Sequence, residues 1–335
     1  MPLLEVEHLV TSFKTDDGKV QAVRDVSFHV DAGEALGIVG ESGSGKSQTM
    51  STIIGLLADN ALIEDGKVTF DGQDISYRSF RSKKEYEKVM NQIRGETMAM
   101  IFQDPMTYLN PTKKIGSQLE ESLKNHTDMN AEERRKKCIH LMELVGIPSP
   151  EKRINQYPFE FSGGMRQRII IAIALANSPK LVIADEPTTA LDVTIQAQVL
   201  DLIQDLKEKS DSAVIMISHD LGVVAKLCDH IMIMYGGKIV EKGTAQEIFY
   251  HPEHPYTKGL LSCIPNPEDD TDQELKPIPG SPPDLLNPPK GCPFVDRCES
   301  AMRVCKDYPP EMKTLSPTHT CACWLQELKK GEKHE

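Results

Sequence analysis

From Leu3 to Val10 apolar and polar residues alternate, and the alternation resumes from Val20 to Val30 after the cluster Asp16-Asp17-Gly18-Lys19. A period of two on either side of turn-forming residues predicts an antiparallel hairpin. From Glu34 the pattern changes. Short apolar runs at Ala35 to Val39, Leu181 to Ala184 and Val214 to Ile217 are each followed by stretches with helical spacing. That succession predicts an α/β architecture built on a parallel sheet. Between Pro105 and Asn177 no strand pattern is found, whereas Ala131 to Val145 has helical periodicity, so the segment reads as a helical insertion. After Leu260 the chain becomes proline-rich and then cysteine-rich, which predicts an extended arm leading to a small terminal module. The resulting division is residues 1–260, with the insertion at 105–177, followed by 261–335.

Composition narrows the class. The 335 residues exceed one ordinary domain, and 39% hydrophobic with 26% charged residues is a globular composition. The opening Met-Pro-Leu-Leu-Glu-Val-Glu-His shows neither a signal nor a transit pattern. No apolar run approaches the roughly 20 residues of a membrane-spanning helix, so any membrane role is expected through partners. A formal net charge of -12 argues against a nucleic-acid surface and against direct adsorption to an anionic bilayer.

The first chemical signal lies directly after the Ala35 to Val39 run. Gly40-Glu41-Ser42-Gly43-Ser44-Gly45-Lys46-Ser47 satisfies G-x-x-x-x-G-K-[ST] in a strand-loop-helix setting. Glycines let successive amides turn inward on phosphate oxygens, and the following helix adds its positive end. Lys46 would contact the β- and γ-phosphates, and the Ser47 hydroxyl would ligate Mg²⁺. A flexible Gly/Ser turn is the competing reading. The second signal is the apolar run ending in Asp185 and Glu186. Asp185 would hold the metal and Glu186 would polarise the attacking water, whereas a simple helix cap is the alternative for such an acidic pair.

Phe161-Ser162-Gly163-Gly164-Met165, lying shortly before the Asp185 run, resembles the signature of ABC ATPases, usually Leu-Ser-Gly-Gly-Gln. The flanking Phe and Met depart from it, while the Ser-Gly-Gly centre is kept; a serine N-cap is the plainer reading of the same residues. Gln103 falls at the family's Q-loop, Ala190-Leu191-Asp192 is similar to its D-loop, and His219 sits at its switch-histidine position. The resemblance covers about residues 1 to 260 and implies a P-loop NTPase fold: a RecA-like core, an antiparallel β subdomain and a helical subdomain. It implies ATP contacts at Phe13, where the family stacks an aromatic on adenine, and at Gly40, Ser42, Gly43, Ser44, Gly45, Lys46, Ser47 and Gln48. Core packing competes for Phe13. It further implies ATP contacts at Gln103, Asp185 and His219, Mg²⁺ on Ser47, Gln103 and Asp185, and catalysis by Glu186, His219 and Gln103. In this family two cassettes close head to tail, so that Ser162, Gly163 and Gly164 would seal the nucleotide of a second subunit.

The tail resembles the C-terminal region of the ATP-binding subunits of dipeptide and oligopeptide importers. The resemblance rests on His254-Pro255-Tyr256-Thr257, the Pro279 to Pro283 segment, Gly291-Cys292-Pro293-Phe294, Arg297-Cys298 and Ala322-Cys323-Trp324-Leu325. It implies peptide cargo, two transmembrane permeases, an extracytoplasmic peptide-binding protein, a second ATPase, identical or homologous, and a peripheral place on the cytoplasmic face of the membrane. Nickel and glutathione importers are close alternatives. Five cysteines within 32 residues are poor disulfide candidates in a reducing cytosol. The spacing C-x5-C-x6-C-x17-C contains no zinc knuckle and no ferredoxin run, and by itself leaves the metal open. The resemblance favours a [4Fe-4S] cluster on Cys292, Cys298, Cys305 and Cys323, with zinc or reduced thiols as alternatives. Outside transport, a soluble ABC ATPase and a redox sensor without turnover are the rival readings. A single phosphate loop, an acidic balance and the retained Glu186 speak against them.

Overall fold

The computed structural model describes every residue except 104–107, 189–192, 264–276 and 332–335. Strands in chain order are β1 (Leu4–Thr15), β2 (Gly18–Val30), β3 (Ala35–Val39), β4 (Ala61–Phe70), β5 (Gln73–Asp74), β6 (Met98–Ile101), β7 (Leu181–Asp185), β8 (Ala213–Ser218), β9 (His230–Tyr235), β10 (Lys238–Thr244), β11 (Lys313–Thr314) and β12 (Thr320–Cys321). The chain forms two compact units, one of Met1–Val30, Ala35–Ser79 and Ile217–Glu335, the other of Asp31–Glu34 and Phe80–Met216.

In the first unit β1 and β2 form the expected hairpin. Its loop is only Asp16 and Asp17, because Gly18 with φ 140° already pairs with Thr15. Val6 and Leu9 are both buried although three positions apart, which a strict period of two forbids. A bulge resolves the conflict: the register shifts between them, and His8 adopts φ 53°. On the other side His8 and Leu9 of β1 together face the single residue Gly66 of β4, whose φ is 118° and where a Cβ would lie 2.7 Å from Leu9 Cα. The antiparallel sheet has the order β2-β1-β4-β5.

The same unit carries the strand order β11-β12-β10-β9-β3. β3 and β9 are parallel and almost wholly buried, and their near-continuous apolar sequences follow from burial on both faces. β9 and β10 are joined through Gly236 and Gly237, both at positive φ (54° and 78°), as a two-residue hairpin loop requires. The proline-rich coil is docked: Gln21 N donates to Leu285 O over 2.8 Å and Arg24 Nη2 donates to Pro289 O over 3.2 Å.

The second unit carries β8-β7-β6, with β6 and β7 parallel in the register Met98 to Leu181. Among the described residues no strand lies between Ile101 and Leu181; the segment includes the helices Ile115–His126, Ala131–Leu144 and Gly163–Ala174. Ala131–Leu144 starts at Asn130, whose side chain accepts from Glu132 N and Glu133 N while Glu133 completes a capping box. Its buried Cys138, Leu141 and Met142 share one face at helical spacing. No helix among the described residues is long and apolar enough to cross a membrane.

Candidate functional site

β3 runs from the core into Gly40 and the helix Lys46–Ile54, so the loop between them opens at the end of a buried strand. Two of its glycines are obligatory for space. A Cβ on Gly40 would lie 2.2 Å from Met234 O, and one on Gly45, at φ 99°, would lie 2.4 Å from Ala22 O. Lys46 is buried and its ammonium donates to Gly40 O over 2.6 Å and to Glu41 O over 3.0 Å, which lays its charge across the loop. Gly45 caps the helix without a side-chain bond, and the helix start adds its positive end to the loop. The Ser44 hydroxyl is buried and has no hydrogen-bond partner. A buried hydroxyl without a partner is destabilising unless a ligand oxygen supplies one, and a phosphate at this loop would do so. Ser42, Gly43 and Gln48 are exposed and Ser47 is half-buried, so each is open to solvent at the loop or on the first helical turn.

Phe13, on β1, is also half-buried, with its backbone paired to Val20 and Ala61. His219 is exposed immediately after β8. The helix that follows is capped by Asp220, which accepts from Gly222 N and Val223 N. The phosphate loop, Phe13 and His219 all belong to the first unit.

The second unit brings Gln103, Asp185 and Glu186. β7 ends in Asp185, which is 7% exposed, and the chain then turns at Glu186 with φ 45°. That left-handed geometry in a non-glycine residue marks a side chain directed by its surroundings, of the kind that clusters at functional sites. Gln103 Nε2 donates to Glu186 Oε2 over 2.9 Å. The amide and the carboxylate, 83 residues apart in sequence, therefore meet. Ser162 caps the helix Gly163–Ala174 by accepting from Met165 N over 3.3 Å. The plainer expectation, a serine N-cap, is what the structure shows, and the capping serine is also exposed. At Gly163 a Cβ would meet nothing within 4 Å, whereas at Gly164 it would lie 2.8 Å from the Ile195 side chain. The first glycine thus keeps the helix start open, and the second permits close packing. Phe161 is 2% exposed, so its departure from leucine is a matter of core packing.

Gln167 was not singled out by its sequence. It is buried and donates from Nε2 to Pro187 O over 2.8 Å, tying the Gly163–Ala174 helix to the segment behind Glu186. The polar residue on an otherwise apolar helical face was the available signal. The D-loop residues Ala190, Leu191 and Asp192 lie outside the described residues.

In the tail, Cys292, Cys298, Cys305 and Cys323 line one narrow cavity together with His254, Phe294 and Trp324. Cys321 instead sits in β12, paired with Glu241 of β10. Burial pushes the Cys292 thiol up to about 12, with the thiols of Cys305, Cys323 and Cys298 adding to the effect. Amides two residues ahead donate to three of the sulfurs: Phe294 to Cys292, Ser300 to Cys298 and Leu325 to Cys323. His254 is 1% exposed; its Nδ1 accepts from Tyr256 N over 3.0 Å, and its Nε2 has no partner. Among the described residues no three His, Cys, Asp or Glu side chains converge closely enough to hold a single metal ion.

Comparison with known proteins accords with this geometry. The ABC transporter family model matches residues 23–189, and the model for the oligopeptide/dipeptide transporter C-terminal region matches residues 240–305. The oligopeptide transport ATP-binding protein OppD of Bacillus subtilis is 54% identical over 324 residues, 96% of this chain and 88% of that protein. The dipeptide transport ATP-binding protein DppD of the same organism is 51% identical over 97% of this chain and 95% of its own length. Among solved structures, a dimeric ATP-binding cassette in a post-hydrolysis state, bound to ADP and Pi, superposes with a TM-score of 0.63 at 25% identity, over 72% of this chain and 98% of its own. A phosphate loop on a P-loop NTPase fold and these full-length relatives lead to one assignment: the chain belongs to the ATP-binding proteins of the oligopeptide/dipeptide ABC transporter family.

Proposed function

We propose that this chain binds and hydrolyses ATP to power uptake of dipeptides and oligopeptides through an ABC importer. The observation that carries the hydrolytic half is the Glu186 carboxylate at the end of β7, held by Gln103 at 2.9 Å. General-base activation of water needs such an oriented carboxylate, and the phosphate loop supplies the binding half. In this reading Phe13 stacks on adenine, Lys46 and the loop amides hold the phosphates, and His219 contacts the γ-phosphate. Mg²⁺ chemistry belongs to Ser47, Gln103 and Asp185, whose hydroxyl, amide and carboxylate oxygens are the hard donors such an ion takes. The exposed Ser162-Gly163 helix start serves the nucleotide of a second ATPase, identical or homologous.

Two permeases and an extracytoplasmic peptide-binding protein complete the transporter, with this chain peripheral on the cytoplasmic side. The peptide cargo is supported by the OppD and DppD relatives, at 54% and 51% identity over nearly the whole chain. Residues 1–260 form the nucleotide-binding part, with its helical subdomain at 105–177, and 261–335 form the arm and cysteine module. Isolation of the chain with its permeases, followed by ATP-dependent uptake of a labelled peptide into proteoliposomes, tests this. Accumulation of peptide is expected, and ATP-driven accumulation of nickel or glutathione without peptide would overturn it.

The tail thiols fit an iron-sulfur cluster. Four cysteines around one cavity, amide donors to three sulfurs and the unpartnered His254 Nε2 suit a thiolate-held cluster with sulfur acceptors of its own. Zinc is the alternative that four thiolates would also suit. Cys292, Cys298, Cys305 and Cys323 would hold the cluster, which supplies redox or structural chemistry; ATP hydrolysis itself transfers no electron.

A further inference from the structure

Glu41, the second residue of the phosphate loop, is gripped from the tail. Arg297 Nη1 donates to Glu41 Oε2 over 2.6 Å, and Arg297 Nη2 donates to Glu41 Oε1 over 3.0 Å. Every other N–H of this guanidinium is also used. Nη1 donates to Tyr235 Oη at 3.1 Å, Nη2 to Ile278 O at 3.2 Å and Nε to Pro279 O at 2.8 Å. The Glu41 backbone is held as well: its N–H donates to the hydroxyl of Tyr256 over 2.8 Å. Tyr256 is fully buried, and its ring packs against Tyr235 and Phe294 with centroids 4.5 and 5.3 Å away.

The third polar group of Glu41, its carbonyl, faces the nucleotide machinery by accepting from Lys46 Nζ over 3.0 Å. One residue therefore has its carboxylate anchored on the tail, its amide on Tyr256 of the helix Pro255–Ser262 and its carbonyl on the phosphate-binding lysine. Exposed ion pairs contribute little, but the Arg297 and Glu41 side chains are only 6% and 26% exposed, and the contact is a two-bonded fork. Charge matters too. Without its guanidinium partner, Glu41 would set a bare carboxylate beside the seat of a polyanionic triphosphate.

We propose that Arg297 and Tyr256 are positioning residues for ATP: acting through Glu41, they fix the phosphate loop and neutralise its carboxylate, so that nucleotide affinity depends on the cysteine-rich tail. Arg297 immediately precedes Cys298, and Tyr256 follows His254 by two positions, both of which line the cysteine cavity. Whatever that cavity binds is thereby joined to the loop by two short links. The inference uses ATP binding alone and stands whether the cavity holds a cluster or free thiols.

The test is MgATP binding to the full-length chain, by competition with a fluorescent ATP analogue, together with KM and kcat for hydrolysis. R297M is expected to weaken MgATP binding about tenfold, with KM rising and kcat at saturation unchanged. In the double variant E41Q/R297M most of that loss should vanish relative to E41Q alone, because the bare carboxylate is gone. Y256F, which deletes only the hydroxyl, should weaken binding about threefold. Should R297M not fold, R297K serves in its place: it keeps the charge without the fork, and affinity about threefold below the parent is expected. Parent-like affinity in R297M or, where that variant does not fold, in R297K would overturn the proposal, as would losses in E41Q/R297M that simply add.

Discussion

Gln103 donates its side-chain amide to Glu186 over 2.9 Å, joining the residue just past β6 to the residue just past β7. The two strands are parallel neighbours with Ile101 opposite Ala184, so their carboxyl ends lie side by side and project the two polar groups together. One bond thus links the residue proposed to contact the metal and nucleotide with the carboxylate proposed to activate water. Replacing Gln103 by Ala removes this bond to Glu186 without removing the base. We expect kcat to fall about tenfold with little change in KM, measured by phosphate release under saturating MgATP.

Ser44 separates binding from folding. Its hydroxyl is buried and unpartnered in the protein, so Ser44→Ala relieves a buried unsatisfied group. The thermal midpoint without nucleotide should hold or rise slightly. The midpoint gain on adding MgATP should shrink, because a bond to a charged phosphate is worth about 1.5–3 kcal/mol. Differential scanning fluorimetry with and without MgATP reads both.

The elements carrying the strongest local patterns were legible in the sequence. The phosphate loop, the apolar strands at Ala35, Leu181 and Val214 and the helix from Ala131 each bear a signal within a dozen residues or so. The β9-β10 hairpin carried an equally local one, Gly236-Gly237 between apolar runs, and was not singled out. β4 was hidden by Glu64-Asp65-Gly66-Lys67, polar residues that two register shifts against β1 accommodate. β6 has only four residues, and β11 and β12 have two each, so their pairing depends on the rest of the fold. The grip of Arg297 on Glu41 spans 256 positions, a separation at which no periodicity or spacing rule speaks.

The cysteine cavity discriminates between two neighbours. Cys323 lines it, whereas Cys321 belongs to β12. Anaerobically purified Cys323→Ser should lose iron and acid-labile sulfide, whereas Cys321→Ser should retain both. Equal losses in the two variants would place the fourth ligand elsewhere.

Glu247 links the tail to acid stability. Burial opposes its charge, but bonds from Ser316 Oγ, Thr244 N, Thr318 Oγ1 and Thr244 Oγ1 outweigh that and bring its pKa down from 4.5 to about 2. A depressed carboxyl stabilises the fold above its unfolded pKa, and that stabilisation is lost as pH falls through the folded value. The difference in urea stability between the parent and Glu247→Gln should therefore be full at pH 7. It should shrink once pH drops below the ordinary 4.5 and vanish near about 2.

The central claim is that Glu186 activates water for hydrolysis of an ATP held by the phosphate loop. The most direct test is steady-state MgATP turnover by the full-length chain carrying Glu186→Gln, which keeps the shape and removes the base. The account predicts a fall of at least about a hundredfold, with MgATP still bound. Turnover within about twofold of the parent would contradict it.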